Sequence, residues 1–277
     1  KFEIYFNFCI AWNMNFKDKL VTKILSFSGY FSNFNYPIKI PNSNKKIKFK
    51  ISSTQTRVRA LVSLTKEKNT IEWIDSFDKG DKFLDIGAHI GTYSLYASIT
   101  KQIKTVAVEP YVSNLSYLAE HIHLNNLNDL ITIVPAVASN NNGIEKFFVT
   151  SFKPYDIGSG QPYNPINSRG KKYKSEYVQG IMKIKIDDLS KFYGNFNHIK
   201  IDIDGNELQA IEGAIDTLNG NNLKSILIEI NEMSENYNKI IKIITDSGLV
   251  LDENLTAKSF VSTKNNSRQY NHIFKKK

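Results

Sequence analysis

The 277-residue sequence predicts an α/β fold in which an open, mostly parallel sheet has helices on both faces. Two observations predict it. From residue 82 onward, short apolar runs alternate with amphipathic stretches, and most of these runs are continuous. Continuous apolar strands are typical of parallel sheets that are buried on both faces, and right-handed crossovers wind them into a Rossmann-like sheet. Ligands of such sheets bind at the carboxyl ends of the strands, so residues there are the functional candidates.

The predicted elements follow from hydrophobic periodicity. Strands are predicted at KFLDI (82–86), TVAVEP (105–110), ITIVPAV (131–137), HIKIDI (198–203), SILIEI (225–230), LVLD (249–252) and YNHIFKK (270–276). Helices are predicted over 92–100 and after the second, fourth and fifth strands. In the helix after the second strand, Leu115, Leu118, Ala119 and Ile122 have i, i+3, i+4, i+7 spacing, which places them on one face.

Two regions interrupt this alternation. Residues 1–75 carry mixed strand signals and a helix signal near 66–76, and we interpret them as an N-terminal cover packed on the main domain, 76–277. Residues 150–180 are rich in Gly, Pro, Ser, Asn and Tyr, which predicts a long loop insertion over the carboxyl edge of the sheet.

The net charge of +9 has two explanations. The simpler is a lysine- and asparagine-rich composition; the other is an anionic partner, because basic residues cluster at 44–50, 169–174 and 275–277. No nucleic-acid-binding motif accompanies these clusters, so no nucleic-acid partner is predicted. A single cysteine, Cys9, excludes an internal disulfide and fits a reducing compartment. No apolar run approaches the roughly 20 residues that cross a bilayer, so we expect a cytoplasmic protein without a transmembrane segment.

The turn KFLDIGAHIGTYS (82–94) has the form of a nucleotide-binding loop. The dinucleotide fingerprint Gly-x-Gly-x-x-Gly needs a second glycine where the backbone approaches a pyrophosphate, and here His89 occupies that place. Asp85 is also unfavourable beside two phosphates. A ligand with a cationic centre and no phosphate removes both objections, and S-adenosylmethionine (SAM) is such a ligand.

The second predicted strand ends in Glu109, 24 residues after Asp85. A carboxylate there can accept hydrogen bonds from both ribose hydroxyls, as in dinucleotide folds. Pro110 cannot continue a strand ladder and closes the strand. The predicted cofactor-binding residues are Asp85, Gly87, Ala88, His89, Gly91, Glu109, Pro110 and Ala136.

The stretch HIKIDIDGNE (198–207) is the second unusual pattern. Lys200, Asp202 and Asp204 would share one side of a strand, so we expect the strand to end near Asp202 and to place it beside Asp85. In that position Asp202 could orient an acceptor hydroxyl and take its proton, with Asp204 and His89 as further catalytic candidates. The structural alternative is an Asp202–Lys200 ion pair and an Asp204 helix cap.

A metal site is a further alternative for this region. Asp202, Asp204, Glu207 and Glu229 could supply oxygen ligands, but they lack the spacing of an EF-hand loop. No metal is predicted.

The sequence resembles the FkbM-type family of SAM-dependent methyltransferases. The matching segments are FLDIGAHIGTYSLYA (83–97), VAVEP (106–110), HIKIDIDGNELQAIEGA (198–214) and LIEINE (227–232). The resemblance implies a class I methyltransferase fold with a seven-stranded sheet and one antiparallel edge strand. It also implies methyl transfer to an oxygen, typically a hydroxyl of a saccharide, glycolipid or polyketide.

The resemblance assigns roles to individual residues. It implies that Asp85, Gly87 and Gly91 form the SAM loop, that Glu109 holds the ribose, and that Asp202 and Gly205 belong to the site after the fourth strand. Two positions depart from the family pattern: His89 replaces the usual asparagine, and Asp204 replaces the usual glutamate.

The sequence thus predicts a SAM-dependent O-methyltransferase acting on a hydroxyl of a saccharide, glycolipid or related small molecule. The basic clusters favour an anionic acceptor. A NAD-dependent oxidoreductase and a non-catalytic SAM-fold partner protein are the alternatives.

Overall fold

The computed structural model describes residues 34–41, 43–150, 157–165, 172–257 and 269–276. Its strands are β1 (Phe34–Lys39), β2 (Lys46–Ile51), β3 (Lys82–Ile86), β4 (Lys104–Val108), β5 (Ile131–Val134), β6 (Ala136–Ala138), β7 (Gly143–Val149), β8 (Gly160–Pro162), β9 (Tyr177–Ile184), β10 (His198–Ile201), β11 (Ser225–Asn231), β12 (Leu249–Leu251) and β13 (Gln269–Lys276). Its helices are α1 (Thr54–Lys66), α2 (Lys68–Asp75), α3 (Thr92–Lys101), α4 (Val112–Leu124), α5 (Ile186–Tyr193), α6 (Glu207–Glu212), α7 (Ile215–Asn219), α8 (Tyr237–Asp246) and α9 (Glu253–Ala257).

The central sheet has seven strands in the order β12-β13-β11-β10-β3-β4-β5. Every neighbouring pair is parallel except those made by β13, which runs antiparallel to both β11 and β12. The predicted mostly parallel α/β sheet is confirmed. The expectation of an antiparallel edge strand is wrong in one respect: β13 lies inside the sheet, because β12 hydrogen-bonds to its outer side.

A second sheet of four strands, in the order β6-β9-β7-β8, stands beside the first. The predicted strand 131–137 is divided between the two sheets at Pro135, whose ring removes the N–H that a continuous ladder needs. The predicted loop insertion 150–180 contains β8 and the first residues of β9, so its described part is not all loop. Residues 151–156 and 166–171 of that segment lie outside the described residues.

The described part of the predicted cover consists of the hairpin β1–β2 followed by α1 and α2. Its apolar side chains, among them Phe49 and Trp73, share one buried cluster with Phe83 of the central sheet. The Trp73 indole N–H also donates to the Ser225 hydroxyl at 2.7 Å. The cover therefore packs on one face of the sheet. Residues 1–33, with Cys9, and residues 169–171 and 277 of the basic clusters lie outside the described residues.

The two faces of the sheet differ in polarity. The face opposite the cover buries an aliphatic cluster that includes Leu84, Ile86, Ile199, Ile201 and Ile228. The face under the cover also contains polar side chains in the middle of the sheet, and all of them are buried: Asp85, Thr105, His198, Lys200 and Ser225. No helix in the described part of the chain has the length and apolar character needed to span a bilayer.

Candidate active site

A cleft of about 640 Å³ of empty space, including solvent at its mouth, opens at the carboxyl ends of β3, β4 and β10. The chain order reverses here, since β4 and β5 continue to one side of β3 while β10 and β11 lie on the other. Such a switch point is the usual ligand site of an open α/β sheet. Seven predicted site residues line the cleft: Gly87, His89, Glu109, Pro110, Ala136, Asp202 and Asp204.

The turn after β3 is held too tightly for a side chain at Gly87. Gly87 has φ +80°, and a Cβ there would lie 2.0 Å from the Asp202 carbonyl oxygen. The backbone N–H groups of Gly87 and Ala88 both donate to the Val108 carbonyl, at 2.9 and 3.0 Å. Gly91 has φ +86°, and a Cβ there would lie 2.4 Å from Leu118 Cδ1. Ala88 and Gly91 thus help to form the turn, but neither of them lines the cleft.

Glu109 is buried at the end of β4 and is hydrogen-bonded through both oxygens. Oε2 accepts from the His89 backbone N–H at 2.8 Å, and Oε1 accepts from the Tyr111 N–H at 2.9 Å and from Asn114 Nδ2 at 3.1 Å. Burial raises the pKa of Glu109 to about 7, although these three donors oppose the shift. A carboxylate held in this way keeps lone pairs available to a ligand hydroxyl.

Asn114 is a cleft residue that the sequence analysis missed. Its side chain joins Glu109 to the segment that leads into β8, since Nδ2 donates to the Gly158 carbonyl at 2.9 Å and Oδ1 accepts from the Gly158 N–H at 3.1 Å. Its position in the first turn of the helix that follows β4 could have indicated that it lies near Glu109. The cleft wall made by Phe147, Gly158 and Pro162 gave no such signal, because it is built by the second sheet and the segment before β8.

His89 lines the cleft in the left-handed conformation, with φ +54°. Burial lowers the pKa of His89 to about 3, and the positive charge of Arg59 acts in the same direction. The imidazole is therefore neutral at physiological pH. It can donate or accept a hydrogen bond, but it adds no positive charge beside a cationic ligand.

Asp85 is almost fully buried, at 1% exposure, and does not line the cleft. Oδ2 accepts from the Ser94 hydroxyl at 2.6 Å, while Oδ1 has no hydrogen-bond partner among the described residues. Burial raises the pKa of Asp85, and the neighbouring charge of Lys200 opposes the shift. Its contact with the cofactor stays a prediction. Oδ1 is a buried hydrogen-bond acceptor to which no described group donates.

Asp202 follows the last residue of β10 and does not lie beside Asp85, contrary to the prediction. The parallel register places Lys200 opposite Asp85 and Ile201 opposite Ile86, and the Asp202 N–H donates to the Ile86 carbonyl at 3.1 Å. Asp202 is thus the neighbour of Gly87.

The Asp202 carboxylate is paired inside the protein. Lys200 Nζ lies 2.8 Å from Asp202 Oδ2, so the alternative of an Asp202–Lys200 ion pair is present. The side chain of Glu229 also hydrogen-bonds to Asp202. Although burial alone would raise the pKa of Asp202, the charge and hydrogen bond of Lys200 lower it overall. Burial and the charge of Asp202 raise the pKa of Glu229, which favours a protonated Glu229 that donates to an ionised Asp202.

Asp204 is exposed at the mouth of the cleft, with φ +57°. Its carbonyl accepts from Gln161 Nε2 at 2.9 Å, which ties it to β8. The alternative of an Asp204 helix cap is wrong, because the N-cap of α6 is Asn206. Over the ranges that the structure describes, no three His, Cys, Asp or Glu side chains are grouped so as to hold a metal ion.

Lys200 links the cleft to the cover. Its side chain is 2% exposed, and Nζ lies 5.0 Å from the centre of the Tyr93 ring. Tyr93 hydrogen-bonds to Glu67, which joins α1 to α2, and Glu67 Oε2 also accepts from Asn271 Nδ2 at 3.3 Å. No local sequence pattern marks Tyr93 or Glu67 as part of this site, because they meet Lys200 only in the folded chain.

Residues 85–251 match the family described as the methyltransferase FkbM domain. The chain belongs to this family. The resemblance stated from the sequence is confirmed, and so are a SAM-dependent methyltransferase and SAM as its cofactor. No curated protein matches the chain.

Several solved methyltransferase structures are similar to this chain at low identity. A SAM-dependent methyltransferase from Agrobacterium tumefaciens has a TM-score of 0.47 and 8% identity, covering 88% of this chain and 70% of that one. A precorrin-6y C5,15-methyltransferase from Geobacter metallireducens has a TM-score of 0.46 and 11% identity, covering 77% and 90%. Pyrococcus horikoshii TYW2 in complex with MeSAdo has a TM-score of 0.46 and 14% identity, covering 88% and 71%.

The cleft residues fit SAM. Glu109 offers carboxylate lone pairs where the ribose hydroxyls are expected, Gly87 lets the turn pack closely on Asp202 in the wall of the cleft, and the neutral His89 adds no charge.

Proposed function

We propose that this methyltransferase transfers the methyl group of SAM to a hydroxyl of a saccharide, glycolipid or related small molecule. The observation that supports it best is Asp202, a residue of the cleft wall whose carboxylate Lys200 holds ionised at 2.8 Å. A carboxylate in this place can accept the hydrogen bond of an incoming hydroxyl. We place the activity in the cytoplasm, because the single cysteine fits a reducing compartment.

SAM supplies an electrophilic methyl carbon whose bond to sulfur breaks as the new bond to oxygen forms. Asp202 orients the acceptor hydroxyl and takes its proton as that bond forms. With its pKa lowered, Asp202 is too weak a base to ionise a sugar hydroxyl beforehand, so it acts only as the oxygen becomes acidic during transfer. The larger part of the rate acceleration comes from holding the acceptor hydroxyl in line with the methyl group and the sulfur.

The cofactor residues have separable roles in this proposal. Glu109 accepts hydrogen bonds from the ribose, Gly87 and Gly91 keep the turn closed against the sheet, and Pro110 and Ala136 line the cleft beside them. His89 and Asp204 line the same cleft and, in this proposal, help to bind the acceptor.

An anionic acceptor is supported by Arg59 on α1. The charge of Arg59 lowers the pKa of both His89 and Asp202, so its positive field reaches the cleft. The basic cluster at 44–50 supports it less, because Lys45 donates to the Ile99 carbonyl and Lys50 pairs with Glu120 at 2.6 Å. A uronic acid or a phosphorylated sugar is the acceptor class that we propose.

The test is transfer of labelled methyl from SAM to a panel of neutral and anionic saccharides and glycolipids. With the acceptor that is methylated, Asp202→Asn should lower kcat by about 100-fold or more while SAM binding is kept. Asp188→Asn, which removes a carboxylate on α5, is the control and should keep the wild-type rate. Full transfer by Asp202→Asn would contradict its role. SAM binding with no transfer to any acceptor would favour a non-catalytic partner protein.

A further inference from the structure

The two middle strands of the second sheet, β7 and β9, have one face packed on the protein and one face turned to solvent. Side chains alternate along these strands, and Phe147, Val149 and Ile181 point inward into a buried cluster with Tyr111. The other face, here called the outer face, carries Ile144, Lys146, Phe148, Val178, Gly180 and Met182. A sheet with one packed face is expected to have polar residues on the other, but this outer face is largely apolar.

The apolar residues of the outer face form cross-strand pairs. Ile144 of β7 lies opposite Met182 of β9, and Phe148 lies opposite Val178. Ile144 is 77% exposed, Met182 54% and Val178 49%. Single exposed apolar residues are common on proteins, but several that are contiguous on one face mark an interaction surface.

Exposed lysines lie between and beside these apolar pairs. Lys146 lies between them, opposite Gly180, and is exposed. The Tyr173 hydroxyl donates to the Phe148 carbonyl at 2.7 Å, which places the exposed Lys172 and Lys174 beside this face. Glu176 is the exposed acid of the same segment, so the lysines outnumber it. An apolar centre with a basic surround is complementary to an anionic lipid surface.

We propose that the outer face docks on an anionic lipid bilayer. Ile144, Val178 and Met182 enter the headgroup boundary, and Lys146, Lys172 and Lys174 contact the acidic headgroups. A twofold contact between two copies of this face is disfavoured, because it would bring the same lysines together. Nucleic acid is a poorer occupant, since the exposed side chains at the centre are aliphatic and offer no stacking surface for bases.

Docking here would bring the cleft close to the lipid. The inner side of the same sheet supplies Phe147, Gly160 and Pro162 to the cleft wall, and Gln179 Nε2 of β9 donates to the carbonyl of the cleft residue Pro110 at 2.8 Å. The methyl-transfer site and the docking face are thus two sides of one four-stranded sheet. Docking itself does not depend on the proposed acceptor.

The test is flotation of the full chain with vesicles of phosphatidylcholine alone or with 30 mol% phosphatidylglycerol, a composition of about one anionic lipid in three. We expect binding to the anionic vesicles and at least about tenfold less to the neutral ones. Ile144→Asp with Met182→Asp should lower binding to anionic vesicles by about tenfold or more. Phe192→Asp, which changes an 81% exposed residue on α5, is the matched control and should bind as the wild type does.

Ile144→Thr with Met182→Thr keeps strand-compatible residues if the aspartates unfold the sheet, and it should also weaken binding. SAM binding by each variant verifies its fold, and none of these measurements needs a methyl acceptor. Equal binding by the wild type and the double variants would overturn the proposal. It would also be overturned if the wild type ignored vesicles but formed a dimer that the double variants dissociate.

Discussion

Glu109 changes its charge within the physiological pH range, because burial raises its pKa to about 7. The ionised carboxylate accepts hydrogen bonds from ribose hydroxyls, whereas the protonated form loses part of that capacity. We therefore expect the affinity for SAM to be full above pH 7 and to fall by up to about tenfold per pH unit below it. Isothermal titration calorimetry from pH 5.5 to 8.5 measures this.

Glu109→Gln is the control for that titration. Its affinity for SAM should be lower than that of the wild type and nearly independent of pH, because the amide does not titrate. His89, with a pKa of about 3, stays neutral over the whole range. A pH-dependence that survives in Glu109→Gln would assign the titration to another buried group such as Asp85.

Lys200 is a buried cation that neutralises the acids around it. Burial alone would lower its pKa, but the charges of Asp202, Asp85 and Glu67 raise it overall. Lys200→Met keeps the volume and removes the cation paired with Asp202, so we expect the free energy of unfolding to fall by about 3 kcal/mol. Urea denaturation at pH 7 measures the loss.

Lys275→Met provides the comparison for Lys200→Met. Lys275 Nζ lies 2.8 Å from Asp252 Oδ2, the same separation as in the Lys200 pair, but the Lys275 side chain is 44% exposed. Loss of this exposed pair should lower the free energy of unfolding by less than about 1 kcal/mol. Similar losses for both substitutions would show that burial does not distinguish the two ion pairs.

The conformation of the turn between β3 and α3 is restricted by the end of the neighbouring strand β10 as well as by the turn's own sequence. At Gly87 two requirements coincide, a positive φ and the absence of a Cβ beside the Asp202 carbonyl. Gly87→Ala should therefore lower the free energy of unfolding by about 3 kcal/mol or more and weaken SAM binding, because β3 and β10 must separate.

Gly80→Ala isolates the contribution of backbone strain. Gly80 has φ +92°, but a Cβ there would meet nothing within 4 Å. This substitution should lower the free energy of unfolding by only about 1–2 kcal/mol and leave SAM affinity unchanged. Chemical denaturation with SAM titration of both variants separates strain from steric overlap, and equal costs would mean that the close approach of Asp202 is unimportant.

The whole molecule should be stabilised by its cofactor and not by a dinucleotide. SAM at 100 times its Kd should add about 2.7 kcal/mol to the free energy of unfolding, which raises Tm by roughly 5 °C or more for a chain of this size. NAD at the same concentration should leave Tm unchanged, because His89 occupies the place of a pyrophosphate-binding glycine. Thermal denaturation with each ligand measures this, and stabilisation by NAD alone would contradict it.

Local patterns predicted the central sheet well. The apolar runs at 82–86 and 225–230 are strands β3 and β11 within one residue, because a buried parallel strand needs a continuous apolar run. The turn glycines and Glu109 were also predictable, since each occupies a set position relative to a strand end. The second sheet was not, because its strands pair residues that the sequence presents as parts of a loop and a neighbouring strand.

The sequence by itself determined the α/β fold, the tight turn from Gly87 to Gly91 and the acid at Glu109, all of which depend on short-range spacing. Only the tertiary structure decided that Lys200, and not Asp202, stands opposite Asp85. It also decided that Asn114 bridges Glu109 to the segment before β8, and that Tyr93 and Glu67 join Lys200 to the cover. The physical reason is that strand register and the contacts between sheets arise from packing over the whole chain, which no local pattern encodes.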